Sequence, residues 1–129
     1  MLKTDDDIPY IEKPWGYERI FAATENYVGK YLFIKAGHRL SRQYHESKDE
    51  TISVLAGPLI LEIGPSSDDE EIYSYGLVTG EAYHITPGIV HRFCATDDSD
   101  VELIEVSTPE LDDVMRLEDD YFRAPAGTA

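Results

Sequence analysis

Three residues that can bind a metal ion lie close together in the stretch "QYHESKDE", namely Gln43, His45 and Glu50. In a β-strand, residues two apart project from the same face, so Gln43 and His45 would point the same way. The intervening "ESKD" is long enough to turn the chain, so Glu50 could return beside them on the next strand. Ile52 and Val54 share the face of Glu50, which makes that face apolar and inward. An inward carboxylate needs a partner, and a divalent cation is one.

A fourth candidate ligand is His91 in "TPGIVHRF", at the start of a strand on which Phe93 shares its face. An amide oxygen, two imidazoles and a carboxylate form a mixed nitrogen and oxygen set. Such a set suits Mn, Fe, Co, Ni or Zn better than Ca or Mg. The sequence therefore predicts one divalent transition metal bound by Gln43, His45, Glu50 and His91.

Short strand patterns separated by turns account for most of the chain. They are "YERIFA", "KYLFIKAG", "TISVLAG", "LILEIG", "EIYSYGLV", "EAYHI", "VHRFCA" and "VELIEV". Turn signals such as Gly57–Pro58 and "TPG" separate several of them. Strands at this spacing are typical of an all-β sandwich or barrel.

One short helix is predicted near the C-terminus, in "STPELDDVMRLEDD". Ser107 or Thr108 could cap it, Pro109 stands at a first-turn position, and acidic residues follow. No repeat or linker is evident, so we expect a single domain over residues 1–129. Its two ends, residues 1–9 and 124–129, are expected to fray.

Composition narrows the possible partners and location. The 129 residues carry 26 acidic and 11 basic side chains, a net charge of −15, which disfavours nucleic acid as a partner. No apolar run approaches the length of a membrane span, so no membrane partner is expected. The first residues show no export signal, and a single cysteine, Cys94, cannot form an internal disulfide. Together these features predict a cytoplasmic protein.

The spacing of the candidate ligands resembles the two sequence motifs of the cupin superfamily. The first motif runs from Gly37 through Gln43, His45 and Glu50 to Gly57, with glutamine where a histidine is usual. The stretch "GEAYHITPGIVH" resembles the second motif. The resemblance implies a double-stranded β-helix, a jelly-roll-like barrel.

A narrower resemblance covers most of the chain. The segments "KPWGYERIF", "GHRLSRQYH", "LIEVSTPE" and "VMRLEDDYFR" are similar to the type II mannose-6-phosphate isomerase cupin domain. That domain is often fused behind a mannose-1-phosphate guanylyltransferase, and this chain looks like a stand-alone version. The resemblance implies an aldose–ketose isomerisation through an enediolate, with the metal stabilising charge on the substrate oxygens. It also implies metal binding by Gln43, His45, Glu50 and His91.

One segment departs from the family pattern. Where the family has a run rich in histidine and arginine, this chain has "ESKDETI", in which Lys48 alone keeps a cation. Candidates for binding a sugar or its phosphate are Arg39, Arg42 and Lys48. Candidates for catalysis are Lys48, His84 and Arg92, although strand alternation favours a surface ion pair for Arg92.

Three functions are compatible with these patterns. The first is a metal-dependent sugar or sugar-phosphate isomerase. The second is another metal-dependent cupin enzyme, such as a dioxygenase, because iron with open positions could bind oxygen. The third is a sugar-binding cupin without turnover, since one fold hosts many chemistries. In each case the partner is a small molecule, and the resemblance implies a homodimer.

Overall fold

The computed structural model describes residues 1–64 and 71–127, which form twelve strands after a short 3₁₀ turn at Asp5–Asp7. Among these residues no helix is long and apolar enough to cross a membrane. The strands are β1 (Tyr10–Lys13), β2 (Gly16–Ala23), β3 (Val28–Ile34), β4 (Arg42–Tyr44), β5 (Glu50–Ala56), β6 (Leu59–Gly64), β7 (Tyr73–Leu77), β8 (Ala82–Ile85), β9 (Val90–Ala95), β10 (Val101–Ser107), β11 (Val114–Glu118) and β12 (Ala126–Gly127).

The strands form two six-stranded sheets. Sheet A has the order β1-β2-β3-β10-β5-β8, and sheet B has the order β12-β11-β4-β9-β6-β7. A single apolar core joins them, because Leu32 and Ile52 of sheet A belong to one buried cluster with Leu61 and Phe93 of sheet B. The predicted all-β, jelly-roll-like double-stranded β-helix is therefore confirmed.

The inner face of sheet A divides into an apolar end and a polar end. Along β5 the buried positions are Glu50, Ile52 and Val54. The antiparallel β10 places Leu103 opposite Val54 and Glu105 opposite Ile52. Apolar side chains therefore fill one end of the barrel, whereas ionisable side chains line the other. The strand register decides which end receives the polar groups.

The predicted C-terminal helix is wrong. The segment turns after Pro109, and Val114–Glu118 then forms β11, which pairs with β4 on one side and β12 on the other. The capping signals of the segment are local. These signals are outweighed by the pairing of β11 with β4. The strand β4 has three residues and pairs with β9 on one side, so its remaining backbone N–H and C=O groups need β11 on the other side. Of the terminal residues predicted to fray, Ala126–Gly127 pair with β11, and 128–129 lie outside the described residues.

We predict that Gly16→Ala destabilises the protein by about 2–4 kcal/mol. Gly16 has φ of 157° at the start of β2, and a Cβ there would lie 1.9 Å from the carbonyl oxygen of Phe33. Backbone of the neighbouring strand cannot move aside without loss of pairing. Gly76→Ala is the matched control, since the nearest atom to its Cβ would be 4.0 Å away. Urea unfolding of both variants measures the difference, and equal loss of stability in both would contradict the steric explanation.

Candidate metal centre

Three of the four predicted ligands converge at the polar end of the barrel. His45 follows β4 directly, Glu50 begins β5, and His91 lies on β9. One ligand atom from each residue lies within 4.8 Å of the other two. The Nε2 atom of His91 is 3.1 Å from Glu50 Oε1, and the Nε2 atom of His45 is 3.5 Å from the same oxygen. All three side chains are buried.

The backbone orients both imidazole rings. His45 Nδ1 donates to the carbonyl oxygen of Asp113, and His91 Nδ1 donates to that of Ile89 at 2.9 Å. A proton on Nδ1 leaves Nε2 with a free lone pair directed at Glu50. Neither Nε2 atom nor either oxygen of Glu50 has a hydrogen bond of normal geometry, although all are buried. A divalent transition metal fits this set, because it would satisfy the atoms that hydrogen bonds leave unpaired.

Gln43 lies next to this cluster. It is paired with His91 across β4 and β9, so both side chains leave the same face of sheet B. Its side chain is buried, and its Oε1 atom accepts a hydrogen bond from Ser41 Oγ at 2.6 Å. A carbonyl oxygen keeps a second lone pair. The assignment of Gln43 as a fourth ligand stays a prediction.

Two further ionisable groups surround Glu50. Lys48 Nζ lies 3.2 Å from Glu50 Oε2 and 3.5 Å from Glu105 Oε1. Burial, together with the charge of Glu50, raises the pKa of Glu105 to about 8. Burial alone would also raise the pKa of Glu50, but its close contacts with Glu105, His45 and His91 hold this pKa well below its usual value. Glu50 is therefore the ionised member of the carboxyl pair, which is the form that a metal requires.

Asp113 fixes the loop that joins His45 to Glu50. Its Oδ1 accepts from the backbone N–H of Glu46 at 3.0 Å, and its Oδ2 accepts from those of Ser47 and Lys48 at 2.7 and 2.9 Å. Partial burial would raise the pKa of Asp113, but these three donors lower it below its usual value. With its carbonyl holding His45, this residue both shapes the loop and orients a ligand.

Two predicted site residues lie away from the cluster. His84 is exposed and its Nε2 lies 2.7 Å from Asp49 Oδ1. Arg39 is also partly exposed and makes two hydrogen bonds to the Asp120 carboxylate, at 2.8 and 3.0 Å. His84 and Arg39 therefore contact the carboxylates of Asp49 and Asp120, and neither of these carboxylates belongs to the cluster of His45, Glu50 and His91.

The other two predicted arginines are buried. Arg92 alternates with His91 on β9, and its guanidinium donates to the carbonyl oxygens of Leu40 at 2.8 Å and Glu118 at 3.3 Å. The surface position expected for Arg92 is wrong. Its side chain is buried, where it contacts backbone carbonyls and the Glu118 carboxylate. Arg42 is buried as well, and its Nη2 atom has no hydrogen-bond partner. The functional roles predicted for both stay predictions.

Sequence reasoning missed two members of the site. Glu105 carried a signal, because it continues the inward phase set by Val101 and Leu103 in "VELIEVS". An acidic residue in that phase indicates a polar interior. Asp113 carried none, since its role depends on contacts 65 to 68 residues away.

A double-sheet barrel that holds a buried histidine–glutamate–histidine cluster defines a cupin. The chain belongs to the mannose-6-phosphate isomerase C-terminal family, whose model matches residues 5–119. It is 33% identical over 116 residues to the mannose-1-phosphate guanylyltransferase ManC of Salmonella typhimurium, covering 88% of this chain and 23% of that protein. It is 28% identical over 116 residues to the alginate biosynthesis protein AlgA of Pseudomonas aeruginosa, with the same coverage. The chain thus spans about a quarter of the length of these curated relatives.

Solved structures with the same fold support the architecture. The capsular polysaccharide assembling protein CapF of Staphylococcus aureus superposes with a TM-score of 0.76 at 21% identity, covering 89% of this chain and 36% of that one. KdgF of Halomonas gives a TM-score of 0.67 at 19% identity, covering 83% and 93%. Oxalate decarboxylase of Bacillus subtilis gives 0.73 at 16% identity, covering 87% and 30%. At these identities the comparison concerns the fold alone.

We predict that the purified chain binds one divalent transition ion and melts at a higher temperature when loaded. An ion at one hundred times its dissociation constant adds about 2.7 kcal/mol of stability. His91→Ala and His45→Ala should lose most of this gain in a thermal melt with and without a chelator. His38→Ala is the matched control, since the described hydrogen bond of the His38 ring goes to the carbonyl oxygen of Ala36 and not to the cluster. Equal metal content in His38→Ala and His91→Ala would reject the site.

We also predict that Asp113→Ala lowers metal affinity by about 10–100-fold, the usual cost of removing a group that orients a ligand. The three loop N–H groups would lose their shared carboxylate, so the loop between His45 and Glu50 would lose its fixed shape, although the backbone carbonyl that accepts from His45 remains. Competition with a chromophoric chelator measures the affinity. Asp98→Ala, in the exposed loop after β9, serves as the control. An affinity unchanged in Asp113→Ala would show that the loop holds its shape by other contacts.

Proposed function

We propose that this chain is a metal-dependent aldose–ketose isomerase that acts on a sugar or a sugar phosphate. The observation that carries the proposal is the buried cluster of His45, Glu50 and His91, with unpaired ligand atoms, in a chain of the mannose-6-phosphate isomerase C-terminal family. The cluster faces the interior of the barrel, where a small molecule could be held out of water.

The metal would be held by His45, Glu50 and His91, with Gln43 as the additional ligand. When bound, it supplies Lewis-acid polarisation of the substrate oxygens. The protein orients these ligands through the backbone carbonyls of Asp113 and Ile89. A fixed arrangement of this kind favours reaction because the groups need no reorganisation as charge develops.

Isomerisation also needs a side chain that exchanges a proton with the sugar carbon next to the carbonyl. Of the predicted candidates, Lys48 is best placed, because its Nζ lies 3.2 Å from the metal-binding carboxylate of Glu50. His84 is exposed and paired with Asp49, and the Arg92 guanidinium is bound to backbone carbonyls. We therefore assign the proton-handling role to Lys48, with Glu105 as its buried neighbour.

The matched relatives are named for guanylyl transfer and for the biosynthesis of alginate, and this chain aligns with about a quarter of each. We propose that this chain catalyses an isomerisation step in carbohydrate metabolism. The homodimer and the cytoplasmic location expected from the sequence remain predictions.

The test follows the exchange of the sugar C2 proton with deuterium by NMR, together with ketose formation, after loading the protein with Zn, Mn, Fe, Co or Ni. With mannose 6-phosphate or mannose, we expect exchange in the wild type. Lys48→Gln should lower the rate by about 10²–10⁴-fold, the range for loss of a general acid or base. Lys35→Gln, which removes an exposed lysine, is the matched control.

Other outcomes separate the alternatives. Oxygen consumption without C2 exchange would support a dioxygenase and reject the isomerase. Saturable sugar binding to the loaded protein without exchange or oxygen uptake would support a binding cupin. Exchange that persists in His91→Ala would reject the metal-dependent mechanism.

A further inference from the structure

A cavity of about 360 Å³ lies on the outer face of sheet A, which is the face turned away from the metal cluster. The register brings its lining residues together, because Tyr17 is opposite Phe33 and Phe33 is opposite Glu102. These residues alternate along their strands with buried, inward side chains. The volume falls within the range of about 300–1,000 Å³ that is typical of small-ligand pockets. The floor is lined by Tyr17, Arg19, Tyr31, Phe33, Leu55 and Glu102.

The N-terminal segment before β1 forms a wall of this cavity, where Asp5 and Ile8 line it. Polar contacts fasten the segment to the sheet. Arg19 Nη2 donates to Asp5 Oδ1 at 2.9 Å, and Lys3 Nζ donates to the carbonyl oxygen of Phe21 at 3.1 Å. The 3₁₀ turn that begins at Asp5 contains no buried residue, so the segment contributes little to the core. The position of the segment is therefore better explained by the cavity that it encloses than by core packing.

Aromatic rings provide much of the surface of the cavity. The rings of Tyr17 and Phe33 are stacked, with centroids 5.0 Å apart and planes at 11°. The ring of Tyr31 contacts that of Phe21, with centroids 4.7 Å apart. These contacts hold the rings in place, although 37% of the Tyr31 surface is exposed. Aromatic rings that are already held in place lose little conformational freedom when a ligand packs against them.

Polar groups of both signs face the same cavity. The hydroxyls of Tyr17 and Tyr31 and the carboxylate of Glu102 form no hydrogen bond within the described part of the chain. Arg19 uses Nη2 to bind Asp5, and a guanidinium has five N–H groups, so further donors remain for a ligand. The cavity therefore offers hydrogen-bond donors and acceptors beside aromatic rings.

This combination of groups selects among ligand classes. The charges of Arg19 and Asp5 offset each other and Glu102 adds a negative charge, so an anionic ligand is disfavoured, and a cationic one would meet the guanidinium. A wholly apolar ligand would leave Arg19 and Glu102 desolvated without partners. An uncharged sugar ring fits these groups, because its C–H face packs on an aromatic ring and its hydroxyls both donate and accept.

We propose that this cavity, which we call the outer groove, binds a neutral saccharide. Tyr17 and Tyr31 supply the aromatic contacts, and Arg19 and Glu102 bind the sugar hydroxyls. The outer groove goes beyond the proposed isomerase, because it lies on the face of sheet A opposite to that of Glu50 and uses no metal.

The first test titrates neutral saccharides into the metal-free full chain and follows the NMR spectrum of the protein. The probes are methyl β-glucoside, methyl α-mannoside, maltose and cellobiose. We expect at least one of them to bind the wild type with a dissociation constant on the order of 1 mM. Tyr31→Leu and Glu102→Gln should each weaken this binding about tenfold, through loss of an aromatic contact or of a charged acceptor. Tyr31→Phe keeps the ring and should retain most of the affinity.

Tyr75→Leu is the matched control, because Tyr75 is a partly exposed tyrosine of sheet B, outside the outer groove. It should change the dissociation constant by less than about twofold. Thermal melts check the folding of each variant, and Glu102→Gln keeps the test valid if Tyr31→Leu does not fold. Binding of none of the four saccharides, or an equal loss in Tyr75→Leu and Tyr31→Leu, would overturn the proposal.

The second test examines the charge of the ligand. The saccharide that binds is compared with its uronic acid counterpart, in which a carboxylate replaces a hydroxymethyl group. We expect the acid to bind at least about twofold more weakly because of Glu102, and Glu102→Gln should reduce the difference. Tighter binding of the acid would reject a neutral saccharide as the ligand.

Two further measurements separate the outer groove from the isomerase and from a contact between two copies of the chain. His91→Ala should keep saccharide binding within about twofold, since His91 lies on the other sheet, and loss of binding would overturn the outer groove. Saccharide binding without C2 proton exchange in the wild type would reject the proposed function and keep the outer groove. Analytical ultracentrifugation measures the mass in solution. A dimer that Tyr31→Leu dissociates would show that a second copy covers this face, which would overturn the proposal.

Discussion

The structure depends on one constraint, which is that three metal-ligand side chains are buried and oriented before any partner is bound to them. The Nε2 atoms of His45 and His91 and the oxygens of Glu50 meet in the barrel without normal hydrogen bonds. A buried polar atom without a partner costs about 1–3 kcal/mol, and the ion pair with Lys48 at 3.2 Å reduces this cost for Glu50. The apolar half of the barrel, with Leu103 and Val54 facing each other, must offset that cost. A cation of the right kind would convert the same cost into binding energy.

The polar and apolar halves are kept apart by strand register. Because inward positions alternate, a slip of one residue in β5 would turn Thr51 and Ser53 inward and expel Glu50. The pairing of β5 with β10 prevents this over six residue pairs from Ser107–Glu50 to Glu102–Ala56. On its other side β10 pairs with β3, which aligns Glu105 with Lys30, so the two registers of β10 place Glu50 and Glu105 on the same inner face. Site and fold are therefore specified by the same pairing.

The features that could be predicted from the sequence are those that depend on residues close together in the chain. The spacing of Gln43, His45 and Glu50 needs only strand alternation and one turn, and the strands themselves follow from short apolar runs. Local signals failed for β11, because capping residues near Pro109 favour a helix while the strand is imposed by β4. The buried ion pairs of Lys48 with Glu105 and of Lys30 with Glu18 were also beyond reach, since strands distant in sequence bring them together. Strand alternation also gave a surface position for Arg92, which the structure places inside.

The contact between Asp113 and the loop after His45 has a consequence for synthesis of the chain. His45 and Glu50 have left the ribosome well before Asp113 does, since 68 residues separate Asp113 from His45. Until then the loop has no acceptor for its N–H groups, and β4 lacks its neighbour β11. Pairing across such separations is slow to form. A nascent chain would therefore capture its ion only after the segment that carries Asp113 and β11 has docked against β4 and the loop after His45.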